Sequence, residues 1–193
     1  FVVGPYSGQL SARGETLTLL NPRGKTAHQL TYAGDPSAAQ RGLRITEIHF
    51  NPPAGPVGAS LPDDLEFLEL RNLSPSESLD LAGIRFIDGV EFDFSTSTVK
   101  RLDPGARVVI VANAIAFAAR YGAGVPVAGQ HVGRLDNGGE RLRLVDAQGE
   151  EILDFGFKDW FPGADGGGFS MEVVDEQASP DRWGDKTQWR VGS

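Results

Sequence analysis

The 193-residue chain contains no cysteine. That excludes a disulfide framework, thiol catalysis and Cys-ligated zinc. It has three histidines, His28, His49 and His131, and they are dispersed. Neither H-x-x-x-H nor H-E-x-x-H spacing occurs, so structural or surface roles are expected of them. Basic residues are in the minority, with 18 Lys and Arg against 26 Asp and Glu, a net charge of −8 and a pI near 4.9. A nucleic-acid binder normally carries a basic face. The acidic balance therefore argues against DNA or RNA as a partner and against adsorption to anionic membranes. No apolar run approaches the ~20 residues of a membrane span, so no membrane insertion is expected. There is no signal peptide, and the chain opens on Phe1 rather than Met, which reads as a fragment of something longer. No Gly-x-Ser-x-Gly elbow is present. Nothing singles out a glycosidase-type carboxylate pair from the 26 acids.

What the chain does have is punctuation. It holds 25 Gly and 12 Pro, with an ordinary 40% apolar content. That is enough apolar surface for a packed core, and the length suits one sizeable all-β domain with an extra piece. Many short β-type runs separated by turn signals predict a sandwich.

The stretch from Leu43 to Arg71 organises the rest. Two β-type runs, Leu43–Phe50 and Leu65–Arg71, flank a Pro- and Gly-rich loop. In the first, the apolar residues Leu43 and Ile45 change phase to Ile48 and Phe50. In the second, Leu65 and Phe67 change phase to Leu68 and Leu70. Each change predicts either a bulge or a strand buried on both faces. Short strands are expected at Leu79–Leu81 and Ile84–Ile87, with a two-residue turn at Asp88–Gly89 leading into Val90–Phe94. Ser95–Leu102 reads as loop or edge and Asp103–Gly105 as a turn. Arg107–Ala112 is a β-branched central strand. Asn113–Gly122 is the one clear helix, under three turns long, with Asn113 as cap, Gly122 as stop and Ile115, Ala118 and Ala119 toward the core. Strands follow at Val125–Ala128, Glu140–Val145, Glu151–Phe157 and Phe169–Val174. An irregular tail, Asp175–Ser193, is anchored by Trp183 and Trp189.

Four motifs stand together: Ile45–Thr46–Glu47–Ile48, Asn51–Pro52–Pro53, Glu66–Phe67–Leu68–Glu69–Leu70–Arg71–Asn72 and Leu81–Ala82–Gly83. With the later W-x-P-G-A-D-G-G-G-F-S loop and terminal W-R segment, this pattern resembles the lamin tail domain family. It is most similar to the versions found in large secreted bacterial proteins, over roughly three quarters of the chain. The resemblance implies an immunoglobulin-like antiparallel β-sandwich with one short helix, here with an added N-terminal β-hairpin. It implies a non-catalytic spacer, tether or interaction module, placed extracellularly or at the cell surface. Nuclear members of the family include binders of DNA or chromatin, and the acidic charge here argues against carrying that over.

The chain also contains an internal repeat. At a constant offset of 125, Gly8, Leu10, Gly14, Glu15, Leu17, Leu19 and Gly24 meet identical residues, and Tyr32 meets Phe157. Gly4 meets Gly129 in the same register. A repeat at this spacing is domain-sized. Residues 1–34 are therefore expected to be the closing hairpin of a preceding copy, 35–42 a linker, and 43–193 the sandwich. An orphan hairpin is marginal alone, so docking on a neighbouring domain or dimerisation through its edges is expected.

The best candidate site is acidic: Asp63, Asp64 and Glu66, with Glu47 and Glu69 near them in the fold. Calcium takes several carboxylate and carbonyl oxygens from a loop, so it is the cation these residues would suit. The competing reading is solvated loop acids, with Glu69 tied to backbone at a bulge, and no EF-hand or RTX-type spacing supports the sharper one. Asp165–Gly168 lacks the strand, helix and Lys of a phosphate cradle and reads as a tight turn. Trp160 and Phe161 are the aromatic candidates for a carbohydrate or protein partner. The alternative is that they plug the end of the sandwich.

Overall fold

A computed structural model describes residues 10–53 and 61–192. The chain divides into two compact units, Phe1–Ser37 and Ala38–Ser193.

The described part of the first unit is a hairpin, β1 (Glu15–Leu20) and β2 (Thr26–Tyr32), whose strands pair with one another. Its two faces differ in kind. Thr16 meets Thr31 at 2.8 Å and Gln29 donates to Thr18 at 3.1 Å on one face. Leu17 opposes Leu30, and Leu19 opposes His28, on the other. Gly4 and Gly8, which open the sequence repeat, lie outside the described residues.

The second unit begins earlier than the sequence suggested. Part of the expected linker is a short helix, α1 (Ala38–Gly42), with Ala39, Gln40 and Gly42 buried. The Arg44 guanidinium caps it, donating to the carbonyls of Gln40, Arg41 and Leu43 at 3.1, 3.0 and 2.8 Å. Gln40 reaches across to donate to the Glu151 carbonyl at 3.0 Å. The helix is thereby fastened to the sandwich that follows.

The strands of this unit are β3 (Leu43–His49), β4 (Phe67–Asn72), β5 (Leu79–Asp80), β6 (Arg85–Asp88), β7 (Phe92–Asp93), β8 (Arg101–Leu102) and β9 (Arg107–Val111). After the helix α2 (Ala114–Tyr121) come β10 (Val127–Gln130), β11 (Arg141–Val145), β12 (Glu151–Gly156), β13 (Met171–Val173) and β14 (Trp189–Val191). One sheet has the order β10-β9-β4-β3-β13-β14, a second β12-β11-β6-β7, and β5 pairs with β8. Ile45, Ile48, Leu68, Leu70, Val108 and Ile110 of the first sheet share one core with Phe86, Leu142, Leu144, Leu153 and Phe155 of the second. This is an all-β, immunoglobulin-like sandwich. Among the strands of the described residues, the pairing of β10 with β9 is parallel.

The two phase changes resolve differently. In β3 the register with β4 slips between Ile45 and Glu47, a bulge at Thr46 that brings both Ile45 and Ile48 to the core. In β4 the pairing with β9 runs unbroken from Phe67 to Arg71. There Leu68 and Leu70 face the main core, while Phe67 packs outward in a second cluster with Val109, Val111 and Phe117. Leu65 belongs to a 3-10 turn, Pro62–Leu65, just before the strand.

Helix α2 covers that outer cluster. Asn113 caps it as expected, accepting from Ile115 N and Ala116 N at 3.1 Å each. Gly122 ends it at φ +90°. The buried face is Ala116 and Phe117, however, and Ile115 is 84% exposed. The sheet thus lies against the Phe117 side of the helix and not against the expected Ile115 side. Asn113→Ala is expected to cost about 1 kcal/mol in urea unfolding, with Asn113→Ser recovering most of it.

Two turns also differ from expectation. Pairing between β6 and β7 ends at Phe86 and Phe92, so the connection around Gly89 is longer than a two-residue hairpin. The C-terminal tail is not wholly irregular, because β14 adds to β13 as an edge strand. The L-x-G motif has a steric reason. Gly83 has φ +76°, and a Cβ there would come within 2.6 Å of the Ala147 side chain.

Candidate functional site

The candidate acids do not form one cluster: Asp63 and Asp64 lie in the 3-10 turn before β4, and Glu66 and Glu69 fall on opposite sides of one sheet. Alternation along β4 sends Phe67 and Glu69 outward with the helix and Glu66 toward the other side. Asp63, Asp64 and Glu66 gather near the start of α2. Asp63 is exposed and pairs with Arg134 at 3.5 Å. Asp64 is a local fastener. It accepts from Leu61 N at 3.0 Å and from the Asn113 side-chain amide at 3.3 Å, joining the 3-10 turn to the helix cap. Glu66 is 1% exposed and accepts from Leu135 N at 2.8 Å. Burial pushes its carboxyl up to about 8, aided by the nearby Asp63 and Glu140 charges and opposed by the Leu135 hydrogen bond and Arg134.

Glu47 and Glu69 stand opposite each other on β3 and β4, and Glu172 on β13 stands opposite Glu47. Like charges across neighbouring strands repel, and the outer face supplies a partner for each. Glu69 accepts from Thr46 Oγ1 at 2.6 Å and Arg107 at 2.5 Å. Glu47 accepts from Ser170 Oγ at 2.6 Å, and Arg190 pairs with Glu172 at 2.8 Å. Burial raises the Glu47 carboxyl, the Ser170 bond lowers it, and Glu69 and Glu172 raise it further. Glu176 on the tail bridges Arg107, at 3.0 Å, and Arg71. The sequence reading missed Arg107, Arg71 and Glu176. Their long separation along the chain gave no local signal.

Among the described residues no group of three or more His, Asp or Glu side chains is placed to hold a metal ion. The loop whose carbonyls were expected to join Asp63 and Asp64 lies partly in residues 54–60, outside the described residues. The acids that are described already have protein donors. Thermal midpoints in EDTA and in millimolar calcium are therefore expected to agree within about 1 °C. A rise of several degrees in calcium would assign a bound cation to this end of the molecule.

Trp160 and Phe161 are half-buried against the main core, and the Lys186 ammonium sits 5.1 Å from the Phe161 ring centroid. The loop they open is stapled to the Asn-Pro motif. Gly166 N donates to Asn51 O at 2.9 Å, and the Asn51 amide donates to Asp165 at 2.7 Å. Two of the motifs that carried the resemblance are thus one structural joint. Asn72 has a similar role. Fully buried, it donates to the Glu77 and Leu102 carbonyls at 2.8 and 2.9 Å and accepts from Ser74 N at 2.9 Å.

His49 is buried under α2 beside the Phe67 ring, 3.1 Å from the Tyr121 hydroxyl, and burial and the Arg120 charge lower it to about 4. Burial likewise lowers His131 to about 4. His28 is exposed on β2.

A cleft of about 470 Å³ lies where the β7 and β10 edges approach. Arg85, Ile87, Glu91, Asp93, Gln130 and Val132 line it, with Ile87 44% and Val132 68% exposed. None of the buried acids or histidines contributes to it.

No curated protein and no solved structure gives a significant match to the chain. A family model does: the Lamin Tail Domain matches residues 36–159, well over half of the chain. That span runs from just before α1 to just past β12, and so takes in the bulged β3, the two-faced β4, the capped helix and the closing hairpin. The chain belongs to the lamin tail domain family.

Proposed function

We propose that this protein is a non-catalytic structural and interaction module of a larger, secreted or surface-attached bacterial protein, in which it spaces, tethers or docks neighbouring domains. Lamin tail domains are immunoglobulin-like, non-enzymatic modules. One observation carries the reading here. Four ionisable groups with displaced pKa values serve the fold: Glu66 holds Leu135 N, Glu47 holds Ser170, Glu140 holds Asp136 N and His49 meets Tyr121. None lines the cleft of about 470 Å³ at the β7 and β10 edges. Net charge of −8 supports partners other than nucleic acid and anionic membrane. The extracellular placement rests on the family resemblance alone.

The test is made in the parent protein. An in-frame deletion of residues 38–193 is expected to leave the turnover of other domains unchanged per molecule while abolishing attachment or assembly. Antibody against the module is expected to label intact cells. Lost turnover with attachment intact, or label only after permeabilisation, would overturn the reading.

Within it, the β7–β10 cleft favours a protein segment over a glycan. Its exposed groups are aliphatic and charged, and the aromatic rings that line it, Phe86 and Phe92, are buried. Ile87→Asp is expected to weaken partner binding without lowering the thermal midpoint.

A further inference from the structure

The N-terminal hairpin repeats the closing hairpin of the sandwich bond for bond. Shifted by 125, the pairs Glu15↔Tyr32, Leu17↔Leu30 and Leu19↔His28 fall on residues 140 and 157, Leu142↔Phe155 and Leu144↔Leu153. The register slip between Leu19 and Leu20 falls on the slip between Leu144 and Val145. Asn21 Oδ1 accepts from Arg23 N and Lys25 N at 2.9 and 3.1 Å, and Asp146 Oδ1 accepts from Gln148 N and Glu150 N at 3.0 and 2.8 Å. Gly14 and Gly139, at φ +84° and +92°, each lie where a Cβ would strike the backbone just past the second strand.

Burial is where the two differ. Leu135, Leu142, Leu144 and Phe155 are 1, 0, 0 and 6% exposed, covered by the first sheet of their own module. Their counterparts Leu10, Leu17, Leu19 and Leu30 are 44, 36, 65 and 56% exposed. The opposite face is a polar Thr and Gln ladder in one hairpin and an Arg141–Asp154 ion pair in the other. A two-stranded sheet with one apolar face is built to be covered on that face.

We propose that the Leu10, Leu17, Leu19 and Leu30 face docks the first sheet of a preceding lamin-tail module on the same polypeptide, for which β1 and β2 are the closing hairpin. The family match fixes the junction. It ends at residue 159, which maps on Gly34, and it starts at residue 36. Two modules of this family therefore stand head to tail, with Asp35 between them. The docking sheet has the chemistry of β3, β4 and β9: a flat aliphatic face of Ile, Leu and Val. Ala27 and His28 stand where the closing hairpin has the buried Ile152 and Leu153. The docked sheet is thus bulkier or more polar at that end. This inference rests on the family and the repeat, and is independent of the proposed function.

The test replaces residues 1–7 of the chain with a second copy of residues 36–132, joined to Gly8. Amide exchange is read at Leu17, Leu19 and Leu30. Their protection is expected to rise about 100-fold over the unextended chain, and Leu17→Asp with Leu30→Asp is expected to reverse it. Unchanged protection overturns the proposal. An extension that stays unfolded overturns it too, because a module closing at Gly34 has no counterpart of β13 or β14 to rely on. Sedimentation of the unextended chain separates the other occupant. A defined dimer that Leu17→Asp abolishes would give the face to a second copy of this chain and overturn the proposal.

Discussion

Replacing Trp183 by Ala is expected to remove about 3–5 kcal/mol of stability, the range for a large aromatic deleted from a core. Trp183 is fully buried in the shared core of the two sheets. Its indole N–H donates to the Ile45 carbonyl at 2.7 Å, beside the Thr46 bulge where the β3–β4 register breaks. A bulge leaves ladder groups unpaired, and a buried carbonyl without a donor is costly. The Arg44 guanidinium stacks 5.8 Å from the ring centroid, and Trp189 donates to the Trp183 carbonyl at 2.7 Å. Deletion therefore leaves a cavity, an orphan carbonyl and a loosened tail together. Domains are stable by about 5–15 kcal/mol in all, so this one change uses much of the margin. For a chain of this size it corresponds to a thermal midpoint lower by about 10 °C or more. Trp183→Phe keeps most of the volume and loses the donor, and about 1–3 kcal/mol is expected. Urea unfolding followed by far-UV circular dichroism reads both. A Trp183→Ala loss under about 1 kcal/mol would show that the indole is not the bulge's partner.

Stability is expected to peak near pH 6.5 and to fall on both sides, with Glu66 responsible for the alkaline limb. The folded carboxyl titrates near 8 against an ordinary value of 4.5. Between those values the folded state holds a proton that the unfolded state has lost. Stability then falls as pH rises, from about 4.5 until the folded group ionises near 8. The full effect is on the order of 5 kcal/mol, from about 1.4 kcal/mol for each pH unit of displacement. His49 and His131 act in the opposite sense. Each titrates near 4 when folded against 6.5 unfolded. Below 6.5 the unfolded state binds the extra protons, so stability rises with pH from 4 to 6.5. Two histidines outweigh one carboxyl below pH 6.5, and of these three groups only the carboxyl still changes above it. Glu66→Gln keeps an oxygen for Leu135 N and removes the charge. It is expected to match the wild type at pH 5 and exceed it by a few kcal/mol at pH 9. Parallel pH profiles for the two proteins would mean that Glu66 is not the group responsible.

Much of the architecture was legible because local chemistry enforces it. Asn113 and Gly122 bound the helix by satisfying or ending its backbone hydrogen bonds. The phase changes at Thr46 and Phe67 announced strands that break simple alternation, since side chains in a strand must point to alternate faces. The offset of 125 made two hairpins out of one pattern, down to Gly14 and Gly139.

The rest depended on which surface came to lie against which. The helix could have buried Ile115 and Ala119 as readily as Phe117. Only the sheet beneath it, carrying Phe67, Val109 and Val111, chose Phe117. The same holds for the phase changes: periodicity cannot tell a bulge from burial on two faces, and one of each was found. The acidic candidates divided for a similar reason. Alternation put Glu66 and Glu69 on opposite sides of β4, but their partners, Leu135 and Arg107, are distant in sequence and near only in the fold. A local pattern sets what a segment is able to form. Burial and charge pairing are properties of two surfaces, and only the tertiary structure brings the second surface into place.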